Sequence, residues 1–247
     1  MAEGSTNIPK VQEQLFDKRQ SAREKYSALV VGRPGWGALL RYELVVMLSH
    51  SVPGALGLAL RRFLYPLLLG DCGRSVVFGQ QVTLRHPHKI RIGSDVVVDD
   101  HCLIDAKGND NTGIRIGNGV FVGRNTILSC KNGAIDIGHG ANIGFNCEIF
   151  SAGEVAIGAN VLIAAYCYVI GGDHDFSDEA RPVLHQGRSA KGITIGDGAW
   201  LGAGAKILDG VCIGAGAIVG AGAVVRESVP ERAIAVGVPA RIVGTRA

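Results

Sequence analysis

Apolar positions in this chain recur every six residues from Ile92 onward. Each unit opens on an aliphatic residue, often followed by Gly, then two variable residues, a small or compact apolar residue, and one more. Copies begin at Ile92, Val98, Ile116, Val122, Ile137, Ile143, Ile157, Ile163, Ile195, Leu201, Ile207, Ile213 and Val219, and an earlier copy, "FGQQVT", at Phe78. Three units make eighteen residues, the distance from Ile195 to Ile213. The pattern predicts short strands, each ended by a turn, that coil into a three-sided prism with the aliphatic residues inside. Such a solenoid is stable only when several coils stack. Cys102, Cys147 and Cys167 occupy the fifth place of their units, which predicts small buried residues.

The rhythm breaks once. Ile157 and Ile195 are separated by a normal coil plus about twenty extra residues, which predicts a loop leaving the prism after His174, over about 173–192. Its root, "GGDHD", brings Asp173, His174 and Asp175 together. A histidine titrates near neutrality and a neighbouring carboxylate can orient its ring, so the cluster suits a general base. A solvated polar loop accounts for the same residues without chemistry.

The first third reads differently. Val11, Leu15, Ala22, Tyr26 and Leu29 have roughly helical spacing, which predicts an amphipathic helix over residues 10–30. The apolar run after Glu43 is interrupted at Pro53, Gly54 and Gly57, so two short helices broken at 51–54 fit better than a membrane span. They could cap the first coil. They could also lie in a membrane interface over about 36–69, with Arg41, Arg61 and Arg62 at the headgroups. The expected organisation is a helical, partly apolar segment at 1–75, the prism at 76–230 and a carboxy-terminal segment at 231–247.

Composition refines this picture. Glycine accounts for 36 of 247 residues, about twice the ordinary share, as a turn-rich chain requires. The net charge of +3 gives no case for nucleic acid. Residues 1–75 carry ten Lys and Arg against six Asp and Glu, a basic bias compatible with an anionic membrane surface. The six cysteines form no CxxC pair, and the chain begins without a secretory signal, so a reduced cytoplasmic compartment is expected, with the inner membrane face as a peripheral site. "LRHPHKIRIG" at 84–93 is basic and histidine-rich, and reads as a polar face toward an acceptor rather than a metal site.

From Asn142 to Val243 the chain resembles the hexapeptide-repeat acyltransferases, whose fold is a left-handed parallel β-helix, and especially the maltose, galactoside and xenobiotic O-acetyltransferases. The resemblance rests on "GGDHDFSDEARP", "IGDGAWLG" and "GAGAVVRESVPERAIAVGVPAR". It implies a homotrimer and direct transfer from acetyl-CoA, or another acyl-CoA, to a hydroxyl of a saccharide or glycolipid. It implies His174 as the base, supported by Asp173, Asp175 and Asn146. It places the CoA arm against Trp200, Ala203, Gly220, Ala221 and Gly222, with Arg241 near the nucleotide phosphates, and calls for no metal and no permanently bound cofactor. Two departures stand out. Gly144 falls where the family carries an acceptor-placing Asn, with Asn146 two residues later, and Arg226-Glu227 replaces the usual Thr-Lys near the CoA arm. The competing readings are an acyltransferase served by acyl carrier protein, a noncatalytic β-helix scaffold, and a metal-dependent enzyme on the same helix. Thiol release from acetyl-CoA and metal content separate them.

Overall fold

The computed structural model describes residues 18–246. Short strands wind round three faces. The first face holds seven, from Asp71–Cys72 to Cys212–Ile213. The second holds nine, from Val77–Phe78 through Ile218–Val219 and Ala233–Val236 to Arg241–Thr245, and the third holds seven, from Thr83–Arg85 to Val224–Val225. Successive coils pair in parallel, and only Arg241–Thr245 folds back antiparallel on the solenoid. This is the mainly β, parallel β-helix of hexapeptide repeats that the periodicity demands.

The role of each place in the unit follows from the stacking. Opening residues such as Val98, Ile143, Leu201 and Ile213 are fully buried and form continuous aliphatic columns. Fifth-place residues are buried beside them, including the three cysteines. Thr126 is the polar exception, and its hydroxyl donates to the Gly144 carbonyl at 2.9 Å. Second-place glycines sit where coils touch: a Cβ on Gly202 would lie 2.6 Å from the Ala221 nitrogen. The fourth place, variable on sequence, is the corner. It has positive φ in the copies from Asp95 to Gly222, as at Asn125 (59°), Asn146 (54°) and Asn160 (54°). Glycine and asparagine tolerate that region best.

The amino-terminal elements cover the open end of the prism. The expected helix over 10–30 lies partly outside the described residues, with Val11 and Leu15 among those. Its described part is α1, Ala22–Tyr26, followed by a wider π turn at Ser27–Val31. Ser21 and Glu24 close α1 with a reciprocal capping box. The apolar run forms two helices, α2 (Trp36–Ser49) and α3 (Gly54–Leu64), broken where the sequence predicts. The Tyr42 hydroxyl donates to the Leu84 carbonyl at 2.9 Å, and Tyr65 to Val82 at 2.8 Å.

Arg61 ties the cap together. Its buried guanidinium donates to the carbonyls of Ser49 and Phe78 at 2.9 Å and of Val52 at 2.8 Å. It therefore lies under the cap, not at a headgroup as a membrane reading of the sequence expects. The opposite surface of the helices is apolar and exposed, with Leu40, Met47, Leu56 and Phe63 at its centre. No helix among the described residues is long and apolar enough to cross a membrane.

The histidines at 86 and 88 also differ from expectation. They do not form a polar face. His86 is buried, its Nε2 2.9 Å from the Ala28 carbonyl and its Nδ1 3.5 Å from Asp105. Burial, then Arg33, His86 and Lys89, push the His88 pKa down to about 4. A Cβ on Gly32 would lie 2.1 Å from the His86 ring, so these imidazoles are packing for the cap.

Two measurements test this packing. Replacing Arg61 by Leu strands two buried carbonyls and one half-buried one and should cost about 3–5 kcal/mol in denaturant unfolding, whereas a loss below about 1 kcal/mol would show that the guanidinium does not anchor the cap. In the folded protein a maleimide should label exposed Cys212 readily, while buried Cys102, Cys130, Cys147 and Cys167 react only on unfolding. Burial pushes the Cys102 and Cys130 thiols up to about 12, which reinforces that protection.

Candidate functional site

The interruption in the repeat begins at a glycine pair. The third-face strand Tyr168–Gly171 ends against Ser151, and Gly172, with φ of 155°, turns the chain outward. Departure is thus slightly earlier than the spacing suggests, so His174 belongs to the excursion itself. Asp173–His174 pairs antiparallel with Arg188–Ser189, placing His174 directly opposite Arg188 and Asp173 opposite Ser189. Return is fixed by Asp209, whose carboxylate accepts from the backbone of Lys191 at 2.8 Å and Gly192 at 2.9 Å. Both feet of the loop are therefore held on the prism.

The tip is closed by side chains. Gln186 donates to the carbonyls of Asp178 and Arg181, each at 2.8 Å, and accepts from the Asp178 N–H at 3.0 Å. Arg181 bonds the Asp178 carboxylate at 2.6 Å. Phe176, Val183 and Leu184 project from this frame with large exposed areas.

The His174 ring is half-buried and makes no hydrogen bond among the described residues. Asp173 accepts from the backbone N–H of His174 at 2.8 Å, not from its ring. The Asp175 carboxylate lies beside Gly187, and its backbone N–H donates to the Gly187 carbonyl at 3.1 Å. Both carboxylates flank His174 in the chain, and neither is hydrogen-bonded to its ring.

The residues expected along the CoA arm come together elsewhere. Trp200 stands on the second face between Leu162 and Ile218, with 45% of its surface exposed. Ala203 and Gly222 are joined by a 2.8 Å backbone bond at the next corner, and Gly220 bonds to Ala235 at 2.8 Å. The result is a low wall of small residues beside an indole. Arg241 adjoins it, 3.7 Å from Glu227, which also lies 3.8 Å from Arg226. The carboxylate that departs from the family pattern is thus bracketed by two arginines, and the local charge stays positive.

Asn146 occupies that same corner, one of a column running Asn125, Asn146, Tyr166, Gly204 and Gly222. His174 lies beyond the opposite edge of the third face. The structure therefore groups Trp200, Ala203, Gly220, Ala221, Gly222 and Arg241, but does not bring them, or Asn146, against His174 within one chain. Sequence reasoning missed Tyr166. It holds a φ of 62° at a corner where a bulky residue is disfavoured, is 62% exposed, and meets Phe145 edge to face at 5.9 Å. An aromatic where neighbouring coils place Gly or Asn is the signal that could have found it. Among the described residues no group of three or more His, Cys, Asp or Glu is placed to hold a metal.

Comparison with known proteins agrees with this architecture. The family described as "Bacterial transferase hexapeptide (six repeats)" matches residues 192–227. A probable acetyltransferase, Rv3034c, of Mycobacterium tuberculosis is 33% identical over 133 residues, covering 54% of this chain and 44% of its own. Nodulation protein L of Rhizobium meliloti is 43% identical over 111 residues, covering 44% and 59%. The matched stretch thus spans about half the length of these curated relatives. Among solved structures, a point mutant of AntD, an N-acyltransferase from Bacillus cereus, in complex with dTDP-4-amino-4,6-dideoxyglucose and coenzyme A, has a TM-score of 0.50 at 23% identity, covering 72% of this chain and 84% of its own. At that identity the likeness speaks for the fold. Over the matched stretches the chain is thus similar to bacterial hexapeptide transferases and to acetyltransferases, and its solenoid is the one that such repeats build.

Proposed function

We propose that the protein is an acyl-CoA-dependent O-acyltransferase, using acetyl-CoA to modify a hydroxyl of a saccharide or glycolipid. The observation that carries this reading is the excursion: both its feet are fixed to a rigid prism, and it presents an imidazole with no hydrogen-bond partner among the described residues. Neutral His174 takes the proton of the acceptor hydroxyl, and that oxygen attacks the thioester carbonyl. The tetrahedral intermediate collapses with cleavage of the C–S bond, and the imidazolium returns its proton to the departing CoA thiolate. The buried cysteines argue against an acyl-enzyme. The hydrogen bond with Cys147, and then burial, raise the Cys167 thiol, which faces the core.

The site is completed between chains in this reading. The outer column of the second face is largely apolar, running Val77, Val97, Phe121, Asn142, Leu162 and Trp200 from coil to coil, with polar Asn142 the departure. The first face instead presents Arg91, Arg115 and Asp136. Burying the apolar column against a neighbour removes it from water, and threefold closure would carry His174 of one protomer toward the Trp200 wall of the next. The loop-tip residues Phe176, Val183 and Leu184 then have a surface to cover. Peripheral membrane contact belongs to the same proposal, supported by the apolar surface of α2 and α3 with Arg41 and Arg62 exposed on those helices.

Replacing His174 by Ala should lower thiol release from acetyl-CoA by about 10²–10⁴ while leaving the unfolding transition unchanged. Full activity in that variant would remove the base from the mechanism. Vesicles containing phosphatidylserine should co-sediment the protein, and replacing Met47 and Phe63 with Ser should weaken that association about tenfold or more. Equal sedimentation of both forms would exclude the cap as the contact.

A further inference from the structure

Beside the His174 hairpin the prism carries cations that its own carboxylates do not satisfy. Asp105 and Ser129 are paired on consecutive coils of the third face, so Lys107 and Lys131 reach the same rank two residues later. The Lys131 N–H donates to the Ser151 carbonyl, and Ser151 is paired with Gly171, from which the excursion leaves. Lys131 is thus separated from the root of the loop by one coil, whose matching residue is the small Ala152. Arg188 extends the series onto the loop, directly across the ribbon from His174. Cross-strand partners of this kind have Cβ atoms about 5 Å apart on one face.

These side chains are half-buried yet lack acceptors. Among the described residues, Lys107, Lys131 and Arg188 make no side-chain hydrogen bond and no salt bridge, and the Lys131 ammonium lies 4.9 Å from the Phe150 ring centre. Nearby Lys89 shows what a satisfied lysine looks like here: its ammonium donates to Gly108 at 2.7 Å and to Asn111 at 2.8 and 3.2 Å. The available carboxylates do not balance the cations. Asp105 lies 3.9 Å from Arg85 and 3.5 Å from His86, and Glu148 is the other anion near Lys131. Burial foremost, then Arg188 at Lys131 and Lys131 at Lys107, hold both lysines below their ordinary range. Like charges gathered in a partly desolvated place await an anion.

We infer that Lys107, Lys131 and Arg188 form a phosphate subsite for the acyl acceptor, so that the acceptor is a phosphorylated sugar whose hydroxyl reaches His174. Lys107, Lys131, Arg188 and Arg85 against Asp105 and Glu148 leave a positive excess that suits a dianion, and guanidinium and ammonium donors suit phosphate oxygens. Arg188 and His174 are cross-strand partners on one face of the ribbon, so a phosphate at Arg188 lies beside a hydroxyl at His174. This deepens the proposed transferase and rests on it for the hydroxyl at His174; the phosphate subsite itself is testable without turnover. The other phosphate source is CoA, expected at the Arg241 corner.

Calorimetric titration of the full chain with inorganic pyrophosphate tests the subsite. Binding should weaken about tenfold or more in Lys131→Gln and, separately, in Arg188→Gln, with unfolding transitions unchanged. It should persist in Arg241→Gln and in His174→Ala. No detectable binding, or binding indifferent to both Lys131→Gln and Arg188→Gln, would overturn the subsite. Loss in Arg241→Gln alone would assign the phosphate to CoA and overturn it equally. Binding retained in His174→Ala while thiol release is unaffected would fault the proposed base and leave the subsite standing.

Discussion

Everything in this molecule is constrained by the stacking of one coil on the next. Backbone bonds such as Gly138 to Ile157 at 2.7 Å, and Gly202 to Val219 at 2.7 Å, hold consecutive coils in register. Under that register, aliphatic residues must meet aliphatic residues inside, and glycine must stand where a Cβ would enter the neighbouring backbone. Corners must accept positive φ. An insertion can leave only at a corner and must return to the rank it left. The 173–192 excursion does so, with Gly172 and Asp209 at its two feet. A flexible segment thereby acquires a defined root, and the root carries His174.

The same constraint divides the labour between faces. Side chains alternate in and out of the prism wall, so the core consumes one set and leaves the other for recognition. The first face gives its outward positions to charge. The second is largely apolar outside and ends in the small-residue wall beside Trp200. The edge of the third gathers, beside the loop, cations without a salt bridge among the described residues. The helical cap solves a different problem, the open end of the aliphatic columns. Arg61 closes it at the cost of burying a guanidinium, which three carbonyls offset.

Much of this is legible in the sequence because the period is strict. The opening and fifth places follow from Ile, Val, Ala and Cys alone, and the break between α2 and α3 from Pro53 and Gly54. The meaning of the fourth place does not, because Asn, Asp, His, Tyr and Gly share a backbone conformation there, not a chemistry. His86 and His88 mislead for a related reason: a histidine-rich string looks polar, yet Gly32 packs against both rings. The excursion and His174 stand out as a break in rhythm. What no single-chain pattern can express is the separation of His174 from the wall at Trp200 and Ala203 by the width of the third face.

That separation is also what makes the account sharp. If the site is built by two protomers, His174 must act on acyl-CoA held by its neighbour's wall. Co-expressing His174→Ala with Ala203→Trp, each inactive alone, measures this directly. Randomly mixed trimers should recover about a quarter of wild-type thiol release from acetyl-CoA, since each restored site needs a histidine from one chain and an open wall from the next. No recovery in demonstrably mixed trimers would contradict the shared site.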